Sequence, residues 1–257
     1  MKFSIITPTY KRSDLLNRAV ASVLSQTYKN WELIIINDSP SDPSYLSFVN
    51  SINDPRIRYF SNDTNKGVNY SRNRGISNLS ADSEWVIFLD DDDYFAPDAL
   101  SHFRDLVLRN NDNMWFMSNR ALKNGTALTE GVVDDALYSY AWSYLIFRKI
   151  KGDATHCIKT KNLHQIHAAF SSRVKQGEEW FFFYQLGMSS KILYSDHNST
   201  ISDGYDLSSG LNFRKRTFEE RYKTLVKITE EAISKKIISF PFLTYITLRV
   251  IKLLTGR

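Results

Sequence analysis

The sequence has one cysteine, Cys157, in 257 residues. An internal disulfide is excluded, and nothing points to an oxidising compartment. Without a recognisable partner pattern, Cys157 reads as a small buried packing residue rather than a nucleophile. No stretch of 18 apolar residues occurs, so no segment spans a bilayer as a helix. The run Phe3–Thr7 is too short for the hydrophobic region of a secretory signal and leads into a polar turn. The cytoplasm is the expected compartment. Acidic residues are missing after Glu231, where Lys235, Lys236, Arg249, Lys252 and Arg257 remain. The other lysines and arginines equal the aspartates and glutamates in number, so the net charge of +5 belongs to this tail. Repeats and low-complexity linkers are absent as well.

What is present fits one large α/β domain with a helical appendage. Hydrophobic and charged contents of 42% and 24% are ordinary for a globular chain. Phe3–Thr7, Trp31–Ile36, Arg56–Phe60 and Trp85–Leu89 read as buried strands. Between them lie helical patterns: Leu15, Leu16, Ala19, Val20, Val23 and Leu24 in the first, then Tyr45–Ile52 and Asn69–Leu79. Pro97 opens a further helix over Asp98–Arg109. Strands alternating with helices predict a mostly parallel sheet, covered on both faces, with ligands beyond the carboxyl ends of its strands. Three polar clusters fall at those ends: Pro8-Thr9-Tyr10, Asn37-Asp38 and Asp90–Asp93. The second half is less regular. Met114–Ala121 and Gly131–Val133 are strand candidates, and Tyr138–Ile150, Glu178–Met188 and Arg214–Lys236 are helix candidates.

Four consecutive aspartates after WVIFL need a reason, because like charges repel and aspartate is a poor strand former. A solvated helix-capping turn is one. A divalent cation is the better one, since Mg²⁺ and Mn²⁺ take hard oxygen ligands from one or two carboxylates plus substrate phosphates. A phosphatase with a nucleophilic Asp-x-Asp also places these residues after a strand. Its strand usually lies near the N-terminus, and the Tyr94-Phe95 that follows here speaks against it.

SIITPTYKR, SVLSQTYKNWELIIINDSPSD, NKGVNYSRNRGI and WVIFLDDDDYFAPDAL, in this order and strand context over residues 2–110, resemble the inverting family-2 glycosyltransferases. The resemblance implies a GT-A fold, an α/β architecture with a Rossmann-like nucleotide-binding half. On that basis residues 1–110 form the nucleotide-sugar half, 111–213 the acceptor half, and 214–257 a C-terminal helical extension. It further implies that Pro8, Thr9 and Tyr10 border the nucleotide, and that Asp38 accepts a hydrogen bond from the base, which suits uracil. Arg72 would lie by the base or diphosphate with Lys66 assisting. Asp90 or Asp91 would meet ribose or donor sugar, and Asp92 would be the principal ligand of Mn²⁺ or Mg²⁺. GEEWFFFYQLG carries the acidic pair of the family, which puts the general base on Glu179. Glutamate replaces the usual aspartate there, and its longer reach leaves Glu178 as a rival. His197, 18 residues on, falls where some relatives complete the metal shell.

The implied activity is transfer from a UDP-sugar to a saccharide or lipid-linked saccharide hydroxyl in surface-polysaccharide assembly, with no nucleic-acid partner. A non-catalytic nucleotide-sugar or glycan-binding module of the same fold is the alternative. The aromatic runs Tyr138–Tyr144 and Trp180–Tyr184 suit either core packing or a sugar platform. Residues 237–257, apolar and basic, suit a helix lying on an anionic membrane at its inner face, or one packed on the body or on a second subunit.

Overall fold

The computed structural model describes residues 1–202 and 216–255; the expected domain boundary at 213 lies outside the described residues. β1 (Phe3–Thr9) and β2 (Trp31–Asn37) are buried at every position. That accounts for their near-continuous apolar sequences, since a strand covered on both faces needs no alternation. β3 (Ile57–Ser61), β2, β1 and β4 (Trp85–Phe88) run parallel in that order. α1 (Ser13–Leu24), α2 (Ser44–Ser51) and α3 (Val68–Ser77) make the crossovers.

The parallel character stops at β4. β8 (Ala154–Lys159) lies antiparallel between β4 and β6 (Trp115–Leu122), and β9 (Ile192–Ser202) runs parallel to β6. β5 (Asp93–Phe95) and β7 (Leu137–Tyr138) pair antiparallel to β9. The sheet is thus mixed, with a parallel first half of the kind the alternation of strands and helices predicts. Gly131–Val133 forms no strand, and Tyr138–Ile150 is not one helix but β7 followed by a π-helical turn over Tyr140–Ile146.

Successive residues of a strand feed opposite cores. Phe3, Ile5, Trp85 and Ile87 face the core under α1 and α4 (Ala99–Arg109), whereas Ile6, Val86, Trp115 and Met117 face the other. The second core also takes in α6 (Trp180–Gly187), α7 (Phe218–Ser234) and α8 (Phe240–Thr255), through Phe181, Phe182, Ile228, Ala232 and Phe242. The short α5 (Thr160–Gln165) follows β8. α7 starts with a capping box between Thr217 and Glu220, which satisfies two otherwise unpaired backbone donors. Phe242 is fully buried, and its transfer from water contributes about 1.5–3 kcal/mol to holding α8 on the body.

Candidate functional site

The site is built where β1, β2 and β4 end. Asp38, just past β2, is almost fully buried. Its Oδ1 accepts from Asn62 Nδ2 at 2.7 Å and from the Lys66 amide at 2.8 Å, and its Oδ2 accepts from the Gly67 amide at 2.7 Å. Asp38 therefore fixes the loop before α3, and Oδ2 keeps room for one more donor. Gly67 has φ +93°, and a Cβ there would stand 2.4 Å from the Lys175 carbonyl, so only glycine fits. The Lys66 side chain is exposed, as is Tyr10, while Pro8 and Thr9 are buried.

α3 reaches the site because it lies almost on β1. A Cβ at Gly75 would be 2.3 Å from the Ile6 side chain. Asn69, Arg72 and Asn73 share one helical face, and each reaches a different part of the site. Asn69 Nδ2 donates to the carbonyls of Val174 and Gly177. Asn73 and Phe170 exchange two hydrogen bonds. Arg72 is buried and bridges two acids: Nη2 is 2.8 Å from Asp90 Oδ1 and Nη1 is 3.2 Å from Glu179 Oε1. Sequence reasoning names Arg72 and misses both asparagines; their spacing at i, i+3 and i+4 within NYSRNRG is the signal that identifies them.

The four aspartates divide sharply. Asp91 is buried and turned toward β1, accepting from Thr9 Oγ1 at 2.8 Å and from the Tyr10 amide at 3.4 Å. Burial pushes its carboxyl up to about 6, against the Thr9 hydrogen bond. Asp93 is also buried; Ser202 donates to its Oδ1 at 2.6 Å and Arg120 pairs with its Oδ2. Asp90 and Asp92 remain partly open, paired with Arg72 and with Arg12 Nη1 at 2.8 Å respectively. Burial works against the charge on Asp90, but Arg72 and Arg120 outweigh it and hold this carboxyl below its ordinary value. Arg12 and Arg120 are not visible as site residues in sequence. Arg120 sits on β6 just after two register shifts against β9, which aim a charged side chain at the cluster.

Oxygens of Asp90, Asp92 and Asp93 lie within 4.8 Å of one another. Three hard oxygen donors suit Mg²⁺ or Mn²⁺. The Asp93 side chain is only 4% exposed, so the accessible pair is Asp90 and Asp92, the two ends of an Asp-x-Asp. His197 is not part of this group. It lies on β9, its Nδ1 is paired with Ser199 and its Nε2 is 3.2 Å from Asp98 Oδ2. Its ring stacks on His102 with centroids 4.0 Å apart.

The acidic pair before α6 also divides. Glu178 has φ +61°, a left-handed conformation costing a non-glycine residue about 1–3 kcal/mol. Its carboxylate is 7% exposed. It accepts from Trp180 Nε1 at 2.5 Å and from Arg216 at 3.4 Å, and it takes both terminal nitrogens of Arg249 on α8. Burial opposes its charge, and Arg249 more than offsets that, keeping the carboxyl below its usual range. Glu179 is 42% exposed, and its ion pair is with Arg72. An open carboxylate thus stands across one buried guanidinium from the acidic cluster. This arrangement suits removal of a proton on one side and binding of an anion on the other.

Arg249 shows how the inner face of the tail helix meets the body. It points inward at Glu178, and Lys235 lies 3.8 Å from Glu231, while Lys236 and Lys252 are exposed. No described helix is long and apolar enough to cross a membrane.

Among solved structures, S. aureus TarS 1–349 in complex with UDP-GlcNAc superposes with a TM-score of 0.71 at 18% identity. The match covers 91% of this chain and 67% of that one, and it establishes the fold alone. WcaA of Escherichia coli K12, provisionally named a colanic acid biosynthesis glycosyl transferase, is 45% identical over 101 residues, 39% of this chain and 36% of that protein. The Escherichia coli UDP-Glc:alpha-D-GlcNAc-diphosphoundecaprenol beta-1,3-glucosyltransferase WfgD is 31% identical over 123 residues, 48% of this chain and 47% of its own. A Campylobacter jejuni GalNAc(5)-diNAcBac-PP-undecaprenol beta-1,3-glucosyltransferase is 41% identical over 103 residues, 39% of this chain and 32% of its own. The matches thus span less than half the length of these relatives. Residues 4–172 match the whole-family description Glycosyl transferase family 2, and with its fold and its acidic clusters the chain belongs to that family.

Proposed function

We propose that the protein transfers a sugar from a UDP-sugar to a hydroxyl of a saccharide or lipid-linked saccharide, with inversion, in assembly of a cell-surface polysaccharide. The observation that carries this reading is Arg72, which joins the open base Glu179 to the acidic cluster. Glu179 takes the proton of the acceptor hydroxyl. The acceptor oxygen then attacks the anomeric carbon from the face opposite the diphosphate. The bond from that carbon to the β-phosphate oxygen breaks, and its electron pair leaves with UDP.

Asp92, with Asp90, would hold Mn²⁺ or Mg²⁺. When bound, such an ion offsets the charge that grows on the leaving diphosphate. Arg72, Arg12 and the exposed Lys66 supply further positive charge near it. The remaining hydrogen-bond position on Asp38 Oδ2 suits the N3–H of uracil, with Pro8, Thr9 and Tyr10 at the edge of the base. Asp91 ties Thr9 and Tyr10 in place, so the ribose or donor sugar falls to Asp90. His197 would join a metal only by giving up Asp98 or Ser199.

The lipid-linked class of acceptor draws support from the two undecaprenol-named relatives. The test is UDP release from a panel of UDP-sugars, with Mn²⁺ and a mixed pool of saccharide and lipid-linked acceptors. Acceptor-dependent release with at least one donor is expected. Tight UDP binding with no release from any donor would leave a binding module in place of an enzyme.

A lipid-linked acceptor fits a protein lying on the inner face of the membrane. The outer face of α8 exposes Phe240, Leu243, Ile251 and Leu254, with Lys252 among them. These side chains suit insertion at an anionic surface. Replacing both Leu243 and Leu254 by serine should weaken binding to phosphatidylglycerol vesicles by about tenfold or more per residue. Vesicle binding equal to wild type would remove the membrane contact from the proposal.

A further inference from the structure

α8 presents two faces, and the inner one ends at the catalytic loop. Phe242, Tyr245 and Arg249 stand at i, i+3 and i+7, on one side of the helix. Phe242 is fully buried, and the Tyr245 ring lies 4.7 Å from that of Trp180, the first residue of α6. The Arg249 guanidinium lies over both the Trp180 and Tyr245 rings, and its two terminal nitrogens grip the Glu178 carboxylate.

Glu178 is an unusual residue to anchor. It follows Gly177 at φ +74°, and its own φ is +61°. Two consecutive left-handed residues make a sharp turn that relaxes unless its surroundings hold it. One side is held by Asn69, which donates to the Gly177 carbonyl at 3.1 Å. The other is held by the Glu178 carboxylate, through Arg249, Arg216 and Trp180. Glu179 is the next residue, and the backbone of this turn sets where its side chain points.

We infer that Arg249 is a positioning residue for the transfer reaction. By gripping Glu178 it fixes the turn that aims Glu179 at the acceptor, so α8 is a working part of the active site. The inference rests on the reading of Glu179 as base. Arg249 touches neither Glu179 nor the acidic cluster in any described contact, so its loss acts on orientation and leaves donor binding alone.

The experiment compares wild type with Arg249→Lys and Arg249→Ala, using UDP release from a UDP-sugar that wild type turns over and calorimetric titration with UDP and Mn²⁺. Lysine keeps the charge and the stem but not the paired donors. Both variants should lose about 10- to 100-fold in kcat, with the donor KM and UDP affinity within about twofold of wild type. Added guanidinium should restore part of the kcat of Arg249→Ala, which a general loss of stability would not allow. If Arg249→Ala is unfolded by circular dichroism, Arg249→Lys carries the test.

Wild-type kcat in a folded variant overturns the inference. So does a loss of UDP affinity that parallels the loss of kcat, and so does unfolding of both variants. Glu179→Gln is measured alongside. If it is inactive while Arg249→Lys is fully active, the positioning role alone falls. If Glu179→Gln keeps wild-type kcat, the assignment of the base falls.

Discussion

Replacing Glu179 with glutamine is expected to lower kcat by about 10²–10⁴-fold and to leave UDP affinity within about twofold of wild type. Glutamine keeps the shape of the side chain and removes the carboxylate proposed as the base. The fold should tolerate it. Glu179 is partly exposed and its backbone carbonyl, not its side chain, starts α6 by accepting from Phe182 and Phe183. Arg72 keeps Asp90 as a counter-ion. Glu178→Gln is the informative contrast. It removes the buried charge that faces Arg249 and Arg216, and loss of one partner of a buried ion pair costs about 3–5 kcal/mol. Its thermal midpoint should therefore fall sharply, whereas that of Glu179→Gln should not. Initial-rate kinetics and a melting curve for both variants decide the matter. Full activity in Glu179→Gln would end its assignment as base.

The contrast between these neighbours was not legible in the sequence, where both are carboxylates at a helix start. Their partners lie far away along the chain: Arg249 is 71 residues from Glu178, and Arg72 is 107 from Glu179. Local patterns carry no information about such pairs. The parallel half, by contrast, was readable. FSIIT, WELIII and WVIF are apolar because both faces of their strands are covered, and polar residues cluster where those strands end.

β9 shows why the second half was harder. Its YSDHNSTIS stretch reads as a polar loop, yet Ser195, Ser199, Thr200 and Ser202 are buried within a long strand. Their burial is sustained by hydrogen bonds across the sheet. Ser118 donates to Ser199, Thr155 to Thr200, and Ser202 to Asp93. A hydropathy pattern cannot register burial of that kind. β5 escapes notice for the same reason, since it begins at Asp93, an acidic residue paired with Arg120. The aspartate run therefore holds both the end of the parallel half and the start of the pairing with β9. Its second and fourth members are buried in framework contacts, whereas its first and third stay partly open.

That division makes Asp92→Asn the second large expected effect. Asp92 and Asp90 would hold an ion that, when bound, would offset the charge developing on the leaving diphosphate by several kcal/mol, and each 1.4 kcal/mol is about a factor of ten in rate. Turnover of Asp92→Asn should therefore fall by about 10²–10³-fold. Mn²⁺ affinity, measured by calorimetry in the presence of UDP, should fall with it. Folding should be spared, because Asp92 is accessible and Arg12, its partner, also lies 3.4 Å from Asp91. Asp93→Asn should behave in the opposite way. Arg120 would lose its closest counter-ion at a buried position, so stability should drop before metal affinity is touched. If Asp92→Asn binds Mn²⁺ and UDP as wild type does, the ion is not held by Asp92. If Asp93→Asn alone abolishes Mn²⁺ binding at unchanged stability, the buried aspartate is the ligand and Arg120 must release it when the donor binds.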